Sequence, residues 1–177
     1  ALIGHLQHNL RDPNRDRSHG RIWRVRYQAN PLLEVKQLSK LSVTELLTEL
    51  LSPEDRTRYR VRRELAARDT KDVAPVITKW ISSRRESSNE LERDLLEALW
   101  LHQAHNIVNR ELLKELLNAD LHEVRAAAVR VLSFWVDQIS NPIELLKDRI
   151  VDEHPRVRLE EVRACSYFPA VSYTHLT

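Results

Sequence analysis

Three features of the sequence predict a mainly α chain, an α-solenoid of antiparallel helix pairs preceded by a short β segment. Apolar residues take helical spacing from about Leu41 onward, a motif returns at an offset of 33 residues, and period-two alternation is confined to the first thirty residues. With 177 residues, 42% of them hydrophobic, there is enough apolar material for one ordinary domain or for a module of a larger protein. The chain opens on Ala1 and contains no Met, which is expected of a piece cut from a longer protein.

The N-terminal part, 1–30, carries the β signal. In Arg21-Ile22-Trp23-Arg24-Val25-Arg26-Tyr27, strict alternation puts Arg21, Trp23, Val25 and Tyr27 on one face and Ile22, Arg24 and Arg26 on the other. A weaker strand is expected around Leu2-Ile3 and His5-Leu6, with a turn at Asp12-Pro13-Asn14 between the two. Two strands do not make a stable sheet, so this segment needs a sheet it does not itself contain.

Residues 31–41 read as a linker, and 42–168 as helices. Ser42-Val43-Thr44-Glu45 is a capping box: the Ser hydroxyl accepts an orphan amide while Glu45 reaches back to the Ser42 amide. Leu46, Leu47, Leu50 and Leu51 form the apolar stripe behind it. Ser52-Pro53-Glu54-Asp55 restarts the pattern with a cap, a Pro where no donor is lost, and acids at the positive helix end, predicting a helix to about Arg68. Further helices are expected over 72–81, 89–102, 111–117, 120–136, 142–151 and 155–167.

These helices repeat. Laying Val124-Arg125 on Val157-Arg158 aligns 120–128 with 153–161 at an offset of 33; Tyr59-Arg60 matches at 65, and Leu91-Glu92 fills the intermediate slot with its Arg replaced. An acidic residue, a short gap, Val-Arg and then a small or apolar residue is the mark of a stacked helix pair of the HEAT-like kind, each pair burying its apolar face against its neighbours. Arg60, Arg125 and Arg158 are read as a structural ladder that ties successive pairs through nearby acids, and exposed pairs of that kind contribute only about 0.2–1 kcal/mol each.

The remaining chemistry-bearing residues are weighed against plain packing. Trp80, Trp100 and Trp135 sit at helical spacing within apolar runs and read as core. His102 and His105 are three apart, a spacing open to a metal, but no third ligand is placed to complete it, so caps or loop contacts account for them better. Cys165 is the only cysteine, which excludes an internal disulfide or a CxxCH haem attachment in these residues and suits a small buried role. No nucleophile, base and electrophile group together, so no catalytic residue is assigned.

The formal charge of +2, from 28 basic and 26 acidic residues, gives no support to a nucleic-acid partner, although residues 1–30 hold six Arg against two Asp. There His5, His8, Arg11, Asp12, Asn14, Arg15, Asp16 and His19 crowd into fifteen positions. They either line a pocket of a larger protein or form a loop that satisfies its own backbone through Asx turns and Arg–Asp pairs. The alternation Asp12-x-Asn14-x-Asp16-x-Ser18 matches a calcium loop poorly, because Arg15 and Arg17 bring positive charge and Trp23 stands where the bidentate Glu belongs.

The stretch from Gly4-His5-Leu6-Gln7-His8-Asn9-Leu10-Arg11-Asp12-Pro13-Asn14-Arg15-Asp16 through His19-Gly20-Arg21-Ile22-Trp23-Arg24-Val25 resembles the end of the β-propeller in large membrane-bound dehydrogenase-like proteins of planctomycete-type bacteria. Leu96-Glu97-Ala98-Leu99-Trp100-Leu101-His102-Gln103 and Asp152-Glu153-His154-Pro155-Arg156-Val157-Arg158 are similar to the HEAT-like region that follows it there. The resemblance implies an exported or periplasmic multidomain protein: a glucose/sorbosone-dehydrogenase-like propeller, this helical array, and a cytochrome c module with a CxxCH haem site. It implies oxidation of a sugar or similar alcohol, with haem c and a PQQ-type cofactor in the parent and none in this fragment. The helical part would then be a non-catalytic scaffold whose partners are the adjoining propeller and cytochrome domains, without membrane contact of its own. The alternative is a free-standing HEAT-type adaptor that binds another protein on a concave face. Residues 169–177 break the repeat, and Val171-Ser172-Tyr173-Thr174-His175-Leu176-Thr177 resembles translated sequencing adapter, so a non-native or loosely packed tail is expected.

Overall fold

The computed structural model describes residues 36–147 and 149–168, together with Ser18, Gln28 and Ala29. The chain divides into two compact units, Ala1–Lys36 and Gln37–Thr177, and the described secondary structure belongs to the second. The strands expected near 2–6 and over 21–27, the turn at 12–14 and the tail from 169 lie outside the described residues. Among the described residues there is no strand.

A 3-10 turn, Leu38–Lys40, leads into eight α-helices: α1 (Val43–Glu49), α2 (Asp55–Ala66), α3 (Thr70–Ser87), α4 (Leu91–Ala104), α5 (Arg110–Leu117), α6 (His122–Phe134), α7 (Pro142–Leu146) and α8 (Pro155–Cys165). The capping box forms in full. The Ser42 amide donates to Glu45 Oε2 at 2.7 Å and the Glu45 amide donates to Ser42 Oγ at 3.3 Å, which places α1 with Leu46 and Leu47 facing inward. These bonds to Ser42 hold the Glu45 carboxyl below the usual carboxylate range. Asn109 caps α5 by accepting from the Leu112 amide at 3.0 Å, and Pro155 opens α8 at a position that loses no intrahelical bond.

Each difference from expectation has a structural cause. Pro53 lies in the loop and not in the first turn, since Glu54 takes the cap position and α2 starts at Asp55. Helix α3 begins earlier and runs six residues past Ile81, through a polar segment held by ion pairs from Arg84 to Asp94 and from Arg85 to Glu115. Its Pro75 lies one turn in, where it removes a single backbone bond. Helix α7 stops at Leu146, and Arg149, in the turn that follows, donates to Leu117 O at 2.7 Å.

Packing follows chain order. α1 packs on α2, α3 on α4 and α5 on α6, while between these pairs α1 packs on α3, α2 on α4, α4 on α6 and α6 on α8. Helix α4 touches helices on several sides and accordingly buries residues around much of its circumference, including Leu95, Ala98, Leu99 and Leu101. One apolar cluster runs from Leu46 to Phe168. Burying each large side chain of that cluster contributes roughly 1.5–3 kcal/mol, so this cluster dominates the stability of the helical unit.

Candidate functional site

The most connected polar residues of the helical unit lie at the loops that begin α6 and α8. Arg125 is buried, and its guanidinium grips Asp152 with two bonds, Nε to Oδ2 at 2.8 Å and Nη2 to Oδ1 at 3.0 Å. Its Nη1 donates to the carbonyls of Ala119 and Asp120 at 2.9 and 2.8 Å. The bonds from Arg125 hold the Asp152 carboxyl below the usual carboxylate range. Arg158 repeats the carbonyl half of this pattern, donating from Nη1 to Asp152 O at 2.6 Å and Glu153 O at 3.0 Å, but it is exposed. In the first pair, the same contact to a carbonyl six residues back is made by Arg58, which donates to Ser52 O at 2.6 Å. Arg60 instead reaches Thr57 Oγ1 at 3.5 Å on the exposed side. The register of the first pair thus differs from the 33-residue spacing by a residue or two.

Glu92, in the slot where the repeat replaces Arg, reverses the chemistry. Its carboxylate accepts from the amides of Asp120 and Leu121 at 2.6 and 2.9 Å. The loop entering α6 is therefore held by its amides from the preceding pair and by its carbonyls from Arg125, which in turn holds the following loop through Asp152. Arg149 adds bonds to Leu117 O and, at 3.3 Å, to Asn118 Oδ1. The rings of His122 and His154 stack beside these loops with centroids 3.5 Å apart. None of Glu92, Arg149 or Asp152 was singled out from sequence; only the charge reversal at Glu92 gave a hint.

His102 and His105 are engaged separately. His102 is buried, with Nδ1 at 2.8 Å from Ala98 O and Nε2 at 3.4 Å from Asn109 Nδ2, so Nδ1–H donates and Nε2 accepts. His105 bridges α2 and α3, with Nε2 at 3.1 Å from Leu65 O and Nδ1 at 3.0 Å from Thr70 Oγ1. Burial, partly opposed by the bond to Ala98 and reinforced by the nearby His105, pushes His102 below the ordinary histidine value of 6.5. The unfolded chain therefore takes up this proton first. The contribution of His102 is complete above about pH 6.5 and is lost as pH falls through the depressed folded value. Urea titrations between pH 7.5 and 5 are expected to show that loss, and His102→Asn, which keeps a donor for Ala98 O, is expected to show a flatter profile. Equal slopes in the two proteins would assign the loss to other groups.

Two of the clefts on the helical unit are lined by described residues. The larger, about 640 Å³, includes Arg58, Arg62, Arg93, Asp94, Glu97 and Trp100 in its lining. Its charges are matched internally: Arg62 makes two bonds of 2.6 Å to Glu97 while lying 4.7 Å above the Trp100 ring, Arg84 pairs with Asp94 at 2.7 Å, and Arg58 pairs with Asp55. The second, about 430 Å³, lies over α4, α6 and α8 and is lined by Trp100, Gln103, Arg130, Phe134, Arg156 and Glu160, with Phe134 exposed. Aromatic and arginine side chains at an open groove are the composition of a protein-contact surface.

Cys165 is half-buried, and burial beside Glu161 pushes its thiol up to about 11, the pattern of an inert thiol. Burial likewise raises the Glu161 carboxyl, partly offset by the Cys165 thiol that donates to it at 3.5 Å. Among the described residues, no group of three or more His, Cys, Asp or Glu side chains could hold a metal ion, and no helix is long and apolar enough to cross a membrane. The polar cluster His5, His8, Arg11, Asp12, Asn14, Arg15, Asp16 and His19 lies outside the described residues. No family model, curated protein or solved structure matches this chain.

Proposed function

We propose that the helical unit is a non-catalytic scaffold and interaction region, a HEAT-like solenoid of stacked pairs within a larger protein. The observation that carries this reading is the span of the polar links between pairs. Arg125 to Asp152, Arg85 to Glu115, Arg149 to Leu117, Arg62 to Glu97 and His105 to Leu65 join residues 27, 30, 32, 35 and 40 apart, each about one repeat along the chain. The titratable side chains that could do chemistry are occupied in that framework: both nitrogens of His102 are bonded, Asp94 and Glu97 are paired with arginines, and the Cys165 thiol is raised. The open groove around Phe134 and Arg130 is the surface on which a neighbouring domain or protein would sit.

The resemblance of the N-terminal segment extends the reading to the parent protein, an exported dehydrogenase-like chain that oxidises a sugar or alcohol and passes electrons to haem c. This unit would then separate the propeller from the cytochrome module. A free-standing adaptor is the second reading, favoured by the same groove alone. Recovering the complete reading frame distinguishes them. Propeller blades upstream, CxxCH downstream and haem absorption in the expressed parent are the expected result; a frame with neither module would leave only the adaptor.

A further inference from the structure

Helices α6 and α8 are equivalent at an offset of 33, so the same position can be compared in both. Three positions keep their burial: Val124 and Val157 are 1% and 0% exposed, Ala128 and Glu161 are 0% and 3%, and Val131 and Ala164 are both 1%. Both helices pack on a preceding helix, α6 on α4 and α8 on α6. Four positions do not keep their burial: Arg158 is exposed and Cys165 half-buried where Arg125 and Leu132 are buried, and two more pairs differ further. Ala126 and Val129 are 2% and 0% exposed, whereas Leu159 and Val162 are 59% and 67%. In the segment before each helix, Leu117 is 2% exposed and its counterpart Ile150 is 50%.

The loss is confined to one side, and α6 is followed by α8, whereas among the described residues no helix follows α8. The polar pattern gives the same direction. Arg125 places one guanidinium nitrogen on its own loop carbonyls and the other two on Asp152, 27 residues ahead. Arg158, exposed where Arg125 is buried, places Nη1 on the matching carbonyls of Asp152 and Glu153.

We propose that this face of α8 is a stacking surface for one more helical pair of the same repeat in the parent polypeptide, bearing an apolar stripe over Ile150, Leu159 and Val162 and a loop carboxylate that accepts the Arg158 fork. The inference rests on the repeat reading above and adds what the occupant must carry. Exposed apolar side chains at register positions that are buried one repeat earlier identify an interface and not merely a greasy surface.

The test inserts a second copy of residues 136–168 directly after Phe168 of the full chain, which sets the copied aspartate 27 residues after Arg158. The extended chain is expected to melt several degrees higher than the original, and Arg158→Ala is expected to couple to alanine at the copied aspartate. Leu159→Glu with Val162→Glu is expected to be near neutral in the original chain and strongly destabilising in the extended one. No rise in melting temperature together with no coupling would overturn the proposal. If Arg125→Ala and Asp152→Ala still couple in that case, the repeat reading stands and only the outer face is wrongly assigned; if they do not, the repeat reading falls with it. Sedimentation of the original chain as a dimer that Leu159→Glu dissociates would assign the face to a second copy and would also overturn the proposal.

Discussion

Replacing Arg125 by Ala is expected to cost about 3 kcal/mol of folding free energy, and to lower the melting temperature by roughly 6–12 °C. The side chain of Arg125 is 8% exposed and that of Asp152 is 4%, so removing the guanidinium strands a carboxylate that water reaches poorly and leaves the carbonyls of Ala119 and Asp120 without their donor. Against a total stability of about 5–15 kcal/mol for a domain, that is a large fraction. Arg125→Ala combined with Asp152→Ala is expected to cost less than the sum of the two single changes, because the second substitution removes the stranded charge. Arg60→Ala is the matched control and is expected to stay within about 0.5 kcal/mol, as its bond to Thr57 is long and exposed. Urea denaturation of the four proteins measures this ranking; an Arg125→Ala protein as stable as the control would remove the buried clamp from the account of stability.

Trp135→Ala is expected to be at least as severe, at about 3–5 kcal/mol. Trp135 closes α6 at its C-terminal end, is 1% exposed and is the largest of the fully buried side chains among the described residues. Trp80 and Trp100 are only partly buried against the same cluster, so Trp80→Ala is expected to cost less. Trp100→Ala combines a packing loss with loss of the stacking partner of Arg62. Guanidinium unfolding followed by circular dichroism reads all three without relying on the indole being removed. Equal losses for Trp80 and Trp135 would mean that burial in the apolar cluster does not set the order.

Where the sequence was legible, the signal was local. The capping box at Ser42 and Glu45, the apolar stripes of α5 and α6 and the Pro at the start of α8 each depend on residues within one or two turns, and each element stands within about two residues of its expected bounds. Where it was not, partners outside the element, from ten to about thirty residues away, decided the outcome. The end of α3 is a run of serines and arginines with no apolar period, and it stays helical because Arg84 and Arg85 find Asp94 and Glu115. The segment after Leu146 has good helical spacing, yet it turns where Arg149 reaches back to Leu117 and across to Asp152.

The ladder positions show the same limit. Offsets of 33 and 65 from Arg125 reach Arg158 and Arg60, yet in the first pair it is Arg58 that faces the carbonyl. Acidic residues are harder still to read, since nothing in the local sequence distinguishes Glu97, which accepts from Nε and Nη2 of Arg62, from the exposed Glu90. Glu92 was visible only as a missing arginine, and its two accepted amide bonds emerge once the following loop is in place.

The two-sided hold on the loop entering α6 has a mechanical consequence. Glu92 grips its amides from behind, and Arg125 grips its carbonyls while reaching ahead to Asp152, so this short stretch is riveted both to α4 and to the loop that enters α8. Loosening any one of these contacts withdraws support from the other two at once. A row of weakly coupled hairpins would fray from its ends, whereas a riveted one tends to let go in a single step.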